Sequence, residues 1–216
     1  MTPLARPPIG RDTASPLDED GANLRRSAHS TPVQRFWEEA QGCMAETDPR
    51  RVAWSAVRLL PDFAFPGTRA RLLAMLGCDI RRGTAVLGHV HLVGPRGSAR
   101  NLRVGTGTVI GPDVTLCLDA PITVGRNVSL GPRAVLYTAT HPLGAGSRRM
   151  VLHVSARPIT VDDGAWVGFG AVILCGVRIG RGSVVAAGAV VNKDVPDDVL
   201  VAGNPAEIVE DLPPSR

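Results

Sequence analysis

From Val161 to Pro196 the apolar positions recur every six residues, so that VDDGAW, VGFGAV, ILCGVR, IGRGSV, VAAGAV and VNKDVP share one frame. The first place is always Val or Ile (Val161, Val167, Ile173, Ile179, Val185, Val191). The fourth is always Gly or Asp (Gly164, Gly170, Gly176, Gly182, Gly188, Asp194), and the fifth is small or β-branched. This period fits neither an amphipathic helix nor a plain alternating strand. It predicts a repeated unit of short strand and turn. The branched residue enters a core, and the Gly or Asp makes the bend with a positive φ or with side-chain help. The expected fold is all-β, a parallel β-helix.

The frame extends backwards with breaks. Val124, Leu130 and Leu136 open one set, Val104, Ile110 and Leu116 another, and Ile80, Val86 and Leu92 a fainter first one. The turn places there hold Gly107, Asp113, Asp119, Asn127, Arg133 and Ala139, so the rule weakens toward the middle. Register slips by two residues between Pro121 and Val124, and a larger excursion follows His141. A solenoid tolerates such insertions because each coil touches only its neighbours and extra residues leave at a corner. The domain plan is a disordered arm over 1–31, a helical cap over 32–77, a β-helix over 78–205 with an extruded loop at 142–158, and a tail over 206–216. Within the cap, Pro32–Glu46, Arg51–Leu60 and Thr68–Leu76 read as short helices. They would cover the apolar core and unpaired edges at the open end of the solenoid.

The frame, together with TATHP (138–142), RPITVDDGAWVG (157–168), GAVV (188–191), NKD (192–194) and VAGNPA (201–206), resembles the hexapeptide-repeat O-acetyltransferases. The motifs are most similar to the maltose, galactoside and nodulation-sugar acetyltransferases and to exopolysaccharide acetyltransferases, over roughly residues 66–209. The resemblance implies a left-handed parallel β-helix and a homotrimer with acetyl-CoA sites between subunits. It also implies direct transfer of an acetyl group to a hydroxyl of a sugar or glycan-like acceptor.

His141 matches the catalytic histidine of that family. A sugar hydroxyl becomes an effective nucleophile when its proton is removed during attack on the thioester, and imidazole is a base suited to neutral pH. Asp119 can simply make a turn at its place, yet LDAPITVG resembles the family segment whose Asp lies in the acceptor site. Where several sugar acetyltransferases carry an acceptor-binding Asn eight residues earlier, this chain has Gly111. His153, in the excursion, is a further acceptor-side candidate. For the donor the resemblance points to Trp166, Gly168, Phe169, Ala187, Asn192, Lys193 and Pro205. Small residues would let an extended pantetheine lie close to the coil, and a cation would meet its phosphates. Lys193 is the only lysine of the chain.

Composition narrows the alternatives. At 216 residues and 44% apolar, with 24 Gly and 18 Pro, the chain suits one turn-dense domain with a sizeable core. Positive residues are spread without a basic run interleaved with aromatics, so nucleic acid is not an expected partner. Cys43, Cys78, Cys117 and Cys175 lack metal-type spacing and read as small thiols, buried or half-buried in the frame for Cys117 and Cys175. His89 and His91 read as surface or turn histidines, and no metal is expected. No run is apolar enough to cross a membrane or serve as a secretion signal, which makes the cytoplasm the expected location. An antibiotic or amino-sugar acceptor, and a non-catalytic solenoid, remain the alternative functions.

Overall fold

The computed structural model describes Trp54, residues 56–145 and residues 149–215. The arm over 1–31, the helix expected over Pro32–Glu46, and residues 51–53 and 55 of that expected over Arg51–Leu60 lie outside these residues.

The described chain is a left-handed parallel β-helix with three faces. Face A carries Asp79–Ile80, Leu102–Val104, Ile122–Val124, Ile159–Val161 and Arg178–Ile179. Face B carries Ala85–Val86, Val109–Ile110, Ser129–Leu130, Trp166–Val167 and Val184–Val185. Face C carries Val90–Val93, Val114–Cys117, Val135–Tyr137, Val172–Ile173 and Val190–Val191. Coils 1 to 5 thus each run from A through B to C.

The first places of the hexapeptide frame stack in register through all five coils. Ile80, Val104, Val124, Val161 and Ile179 pair successively on face A. Val86, Ile110, Leu130, Val167 and Val185 do so on face B, and Leu92, Leu116, Leu136, Ile173 and Val191 on face C. Apart from Ile80 and Leu92 at the open end, these side chains are buried. Each contributes about 1.5–3 kcal/mol by leaving water.

The turns keep their geometry where their sequence rule weakens. Asp113, Asn127 and Arg133 take φ of 57°, 53° and 60°, beside 75° at Gly107 and 73° at Gly164. Asp194 has no positive φ, and its side chain ties its turn to the start of coil 5, Oδ1 accepting the Arg178 backbone N–H at 2.8 Å. Glycine at the second place has a separate cause. A Cβ on Gly168 would lie 2.7 Å from both Ala187 N and Val185 O of the next coil. Gly168→Ala is expected to lower stability by about 1–3 kcal/mol, the usual effect of overpacking, read as a lower melting temperature. An unchanged melting temperature would mean that the coils can separate freely there.

Helix α1, Pro66–Met75, begins two residues before the expected Thr68, with Pro66 in its first turn where a missing N–H is tolerated. It follows a 3-10 turn at Ala56–Leu59 and covers the first coil with Ala70 and Leu73. Trp54 Nε1 donates to Val90 O at 2.8 Å on the same coil. His89 corrects the surface reading. It is buried, stacked on Trp54 at 5.8 Å and met edge-on by His91 at 4.7 Å, because the cap covers the end of the solenoid here. His91 Nε2 in turn lies 3.4 Å from Asp113 Oδ1.

At the other end, Val199–Gly203 continues face B in parallel, and Ala206–Asp211 folds back on it antiparallel. Much of the expected tail is therefore the last strand of that face. Among the described residues no helix is long and apolar enough to cross a membrane.

Candidate functional site

Two corners carry the candidate chemistry. At the corner between faces C and A, the chain leaves coil 3 through Thr138, pairs Ala139–Thr140 antiparallel with Ser155–Ala156, and runs out as a ribbon. Leu143 bridges Met150 across it, and Gly144 N donates to Arg149 O at 2.7 Å. This fold-back brings the Val151 carbonyl 2.9 Å from His141 Nδ1. A carbonyl only accepts, so Nδ1 carries the proton, and in the neutral ring Nε2 presents its lone pair. His141 is exposed, and its ring is held through Nδ1 by the very loop that breaks the repeat, which leaves Nε2 as the base-competent nitrogen.

Asp119 occupies the same corner one coil earlier, since Cys117 pairs with Tyr137 on face C. Its turn is not of the positive-φ kind. Its Oδ2 instead accepts the Cys117 thiol at 2.9 Å. Burial, and then the bond to this carboxylate, push the Cys117 thiol above its ordinary pKa. The Thr138 hydroxyl ties the two coils, donating to Cys117 O at 2.6 Å and accepting from Ala120 N at 3.2 Å. The thiol contact escaped the sequence reading. Its signal was the spacing of two between Cys117 and Asp119, which puts side chains on one side of an extended chain.

Gly111 lies elsewhere, at the corner between B and C, where a Cβ would meet Pro132 N at 2.7 Å. An asparagine there would collide with the next coil, so this chain does without that side chain for a steric reason. His153, on the returning arm of the ribbon, is exposed and makes no hydrogen bond among the described residues.

The expected donor residues divide between places. Trp166 stands outward on face B, 55% exposed, between Ser129 and Val184 of the flanking coils. Gly168, Phe169 and Ala187 follow at the B–C corner, with Gly168 stacked directly on Ala187. Phe169 is 52% exposed, and the Arg133 guanidinium lies 5.9 Å from its ring centre. Asn192 and Lys193 lie at the C–A corner of coil 5, two coils beyond His141, and Lys193 Nζ is 3.5 Å from exposed Glu207. Pro205 sits in the turn between the last two strands. One chain thus places the donor-side aromatics and His141 at different corners, separated by face C.

Two cavities lie apart from these groups. One of about 390 Å³ at the A–B corner is lined by Arg126, Asp163, Arg181 and Ser215. The Arg126 backbone N–H and guanidinium hold the Asp163 carboxyl below its usual range there. The other, of about 610 Å³, lies between α1 and coil 1 beside Arg71, Arg81 and Arg82. Among the described residues no three His, Cys, Asp or Glu side chains gather where a metal ion could be held.

Comparison with known proteins bears on these corners. The model of the bacterial transferase hexapeptide (six repeats) matches residues 158–193. A galactoside O-acetyltransferase of Lactococcus lactis is 37% identical over 109 residues, 50% of this chain and 52% of that protein. A 2,3,4,5-tetrahydropyridine-2,6-dicarboxylate N-acetyltransferase of Staphylococcus aureus is 42% identical over 88 residues, 41% of this chain and 32% of that protein. The chain spans about half the length or less of these two relatives. Among solved structures, a hexapeptide-repeat-containing acetyltransferase of Vibrio cholerae, complexed with acetyl coenzyme A, superposes with a TM-score of 0.63 at 34% identity. That match covers 76% of this chain and 85% of the other. With its stacked hexapeptide coils and that extent of likeness, the chain belongs to the hexapeptide-repeat acetyltransferases.

Proposed function

We propose that this protein is an acetyl-CoA-dependent O-acetyltransferase acting on a hydroxyl of a sugar or glycan-like acceptor, with His141 as general base. The observation that carries this reading is the hydrogen bond from His141 Nδ1 to Val151 O, which leaves Nε2 to take a proton. Bound acetyl-CoA supplies the thioester carbonyl. His141 Nε2 removes the hydroxyl proton as the oxygen attacks, and the resulting imidazolium can return it to the departing thiolate, with no acyl-enzyme required. Asp119 holds the acceptor on the coil before the histidine. Trp166, Phe169 and the small stack of Gly168 on Ala187 suit an extended pantetheine, while Asn192, Lys193 and Pro205 stand toward the nucleotide end. A family relative complexed with acetyl coenzyme A supports the donor.

The site is completed between copies in a homotrimer, in which the C–A corner of one chain meets the B–C corner of its neighbour. Open apolar side chains on the ribbon, among them Leu143, Met150 and Leu152, support such an interface. His153 stands on the same ribbon and reaches the acceptor only at its edge. The second reading is transfer to an amine, favoured by likeness to an N-acetyltransferase at 42% identity. Thiol release from acetyl-CoA, followed with a thiol-reactive dye across galactosides, maltose, amino sugars and aminoglycosides, decides between them. Hydroxyl-dependent release is expected. Release only with amines would replace the O-transfer reading, and no release with any acceptor would remove the enzyme reading.

A further inference from the structure

The Asp119 carboxylate has the Cys117 thiol as its one hydrogen-bond partner among the described residues. Cys117 is fully buried on face C, and Asp119 is half-exposed at the corner. Thr138, three residues ahead of His141, fixes the backbone on both sides of Asp119 through Cys117 O and Ala120 N. The backbone flanking Asp119 is therefore tied to the strand that leads to the histidine, and its side chain to Cys117 of its own coil. A surface aspartate held by nothing would spread over its rotamers. Here one oxygen is anchored from the interior and the other is left unbonded.

We propose that Cys117 is a positioning residue for acceptor binding, its S–H aiming the Asp119 carboxylate at an acceptor hydroxyl beside His141. This rests on the acetyl-transfer reading of the same corner. A thiol suits the task better than a stronger donor. It fixes the carboxylate while withdrawing little of its acceptor strength, which remains available for a substrate hydroxyl. Burial keeps the thiol protonated, so it stays a donor throughout the neutral range.

The test uses the full chain, acetyl-CoA and methyl β-D-galactopyranoside. Cys117→Val fills a similar volume without a donor, whereas Cys117→Ser keeps one. In Cys117→Val the KM for the galactoside is expected to rise roughly tenfold, the effect of losing one hydrogen bond to a charged group, while the KM for acetyl-CoA stays within about twofold. Cys117→Ser restores most of the acceptor KM. Infrared spectra supply a readout independent of any acceptor. The S–H stretch assigned by Cys117→Val moves to higher frequency in Asp119→Ala, because the thiol loses its acceptor. A band that does not move, or an acceptor KM unchanged in Cys117→Val, overturns the positioning role. Wild-type protein inactive with every acceptor would instead sink the acetyl-transfer reading, and the acceptor role of Cys117 with it.

Discussion

His141→Ala is expected to lose roughly 10²- to 10⁴-fold in kcat/KM, about 3–5 kcal/mol of transition-state stabilisation, while folding and binding acetyl-CoA as the wild type does. The loss falls on the chemical step because the side chain is exposed and contributes nothing to the stacked core. His141→Asn separates orientation from proton removal. Its side-chain amide can still donate to Val151 O, in place of Nδ1, but has no basic nitrogen to take a proton. The Asn variant is expected to be about as inactive as the Ala variant. Steady-state rates of both, with CoA binding measured by calorimetry, check this. An Asn variant near wild-type turnover would make the Val151 bond an orienting device for some other base, and full activity in the Ala variant would remove histidine from the mechanism.

The solenoid was legible because its cause is local and repeated. A branched residue every six places had to stack, and every first-place residue from Ile80 to Val191 does so. The turns were harder to read, since Arg133 takes the same φ near 60° as the glycines without the side chain that would announce it. Left-handed coiling came through family likeness and not from spacing, because a hexapeptide period fits either hand. Of the candidate site, His141 stood out as the point where the frame breaks. Its tautomer could not be read, because the partner is a backbone carbonyl ten residues away on the far arm of a ribbon. The assignment of Gly168 to the donor rested on motif alone, and its contacts with Val185 and Ala187 show that coil stacking by itself requires a glycine there.

The cap hid its main device altogether. Arg69 in α1 looks like one more surface arginine, yet it is fully buried. Its guanidinium donates to Ala64 O at 2.6 Å, Leu60 O and Pro61 O at 2.9 Å, and Leu87 O of the first coil at 3.3 Å. One side chain thus gathers the irregular segment between the 3-10 turn and α1 and fastens it to the solenoid. The need is set by the backbone. Phe63 and Phe65 both have positive φ, so this segment closes no helical or strand ladder of its own. Pro61 O takes the Ala64 N–H at 3.2 Å, and Leu60 O and Ala64 O depend on the Arg69 guanidinium. Arg69→Met keeps the apolar stem but leaves those carbonyls without their charged partner, a loss expected to destabilise the cap by about 3–5 kcal/mol. Arg69→Lys recovers only part, because an ammonium cannot span acceptors that a planar fork reaches together. The damage is expected to stay local, since coils of a solenoid depend only on their neighbours. Hydrogen exchange therefore shows residues 60–75 and the first coil losing protection in Arg69→Met, while Ile122–Val191 keeps it. Uniform loss of protection along the whole chain would mean that the cap and the solenoid unfold as one unit.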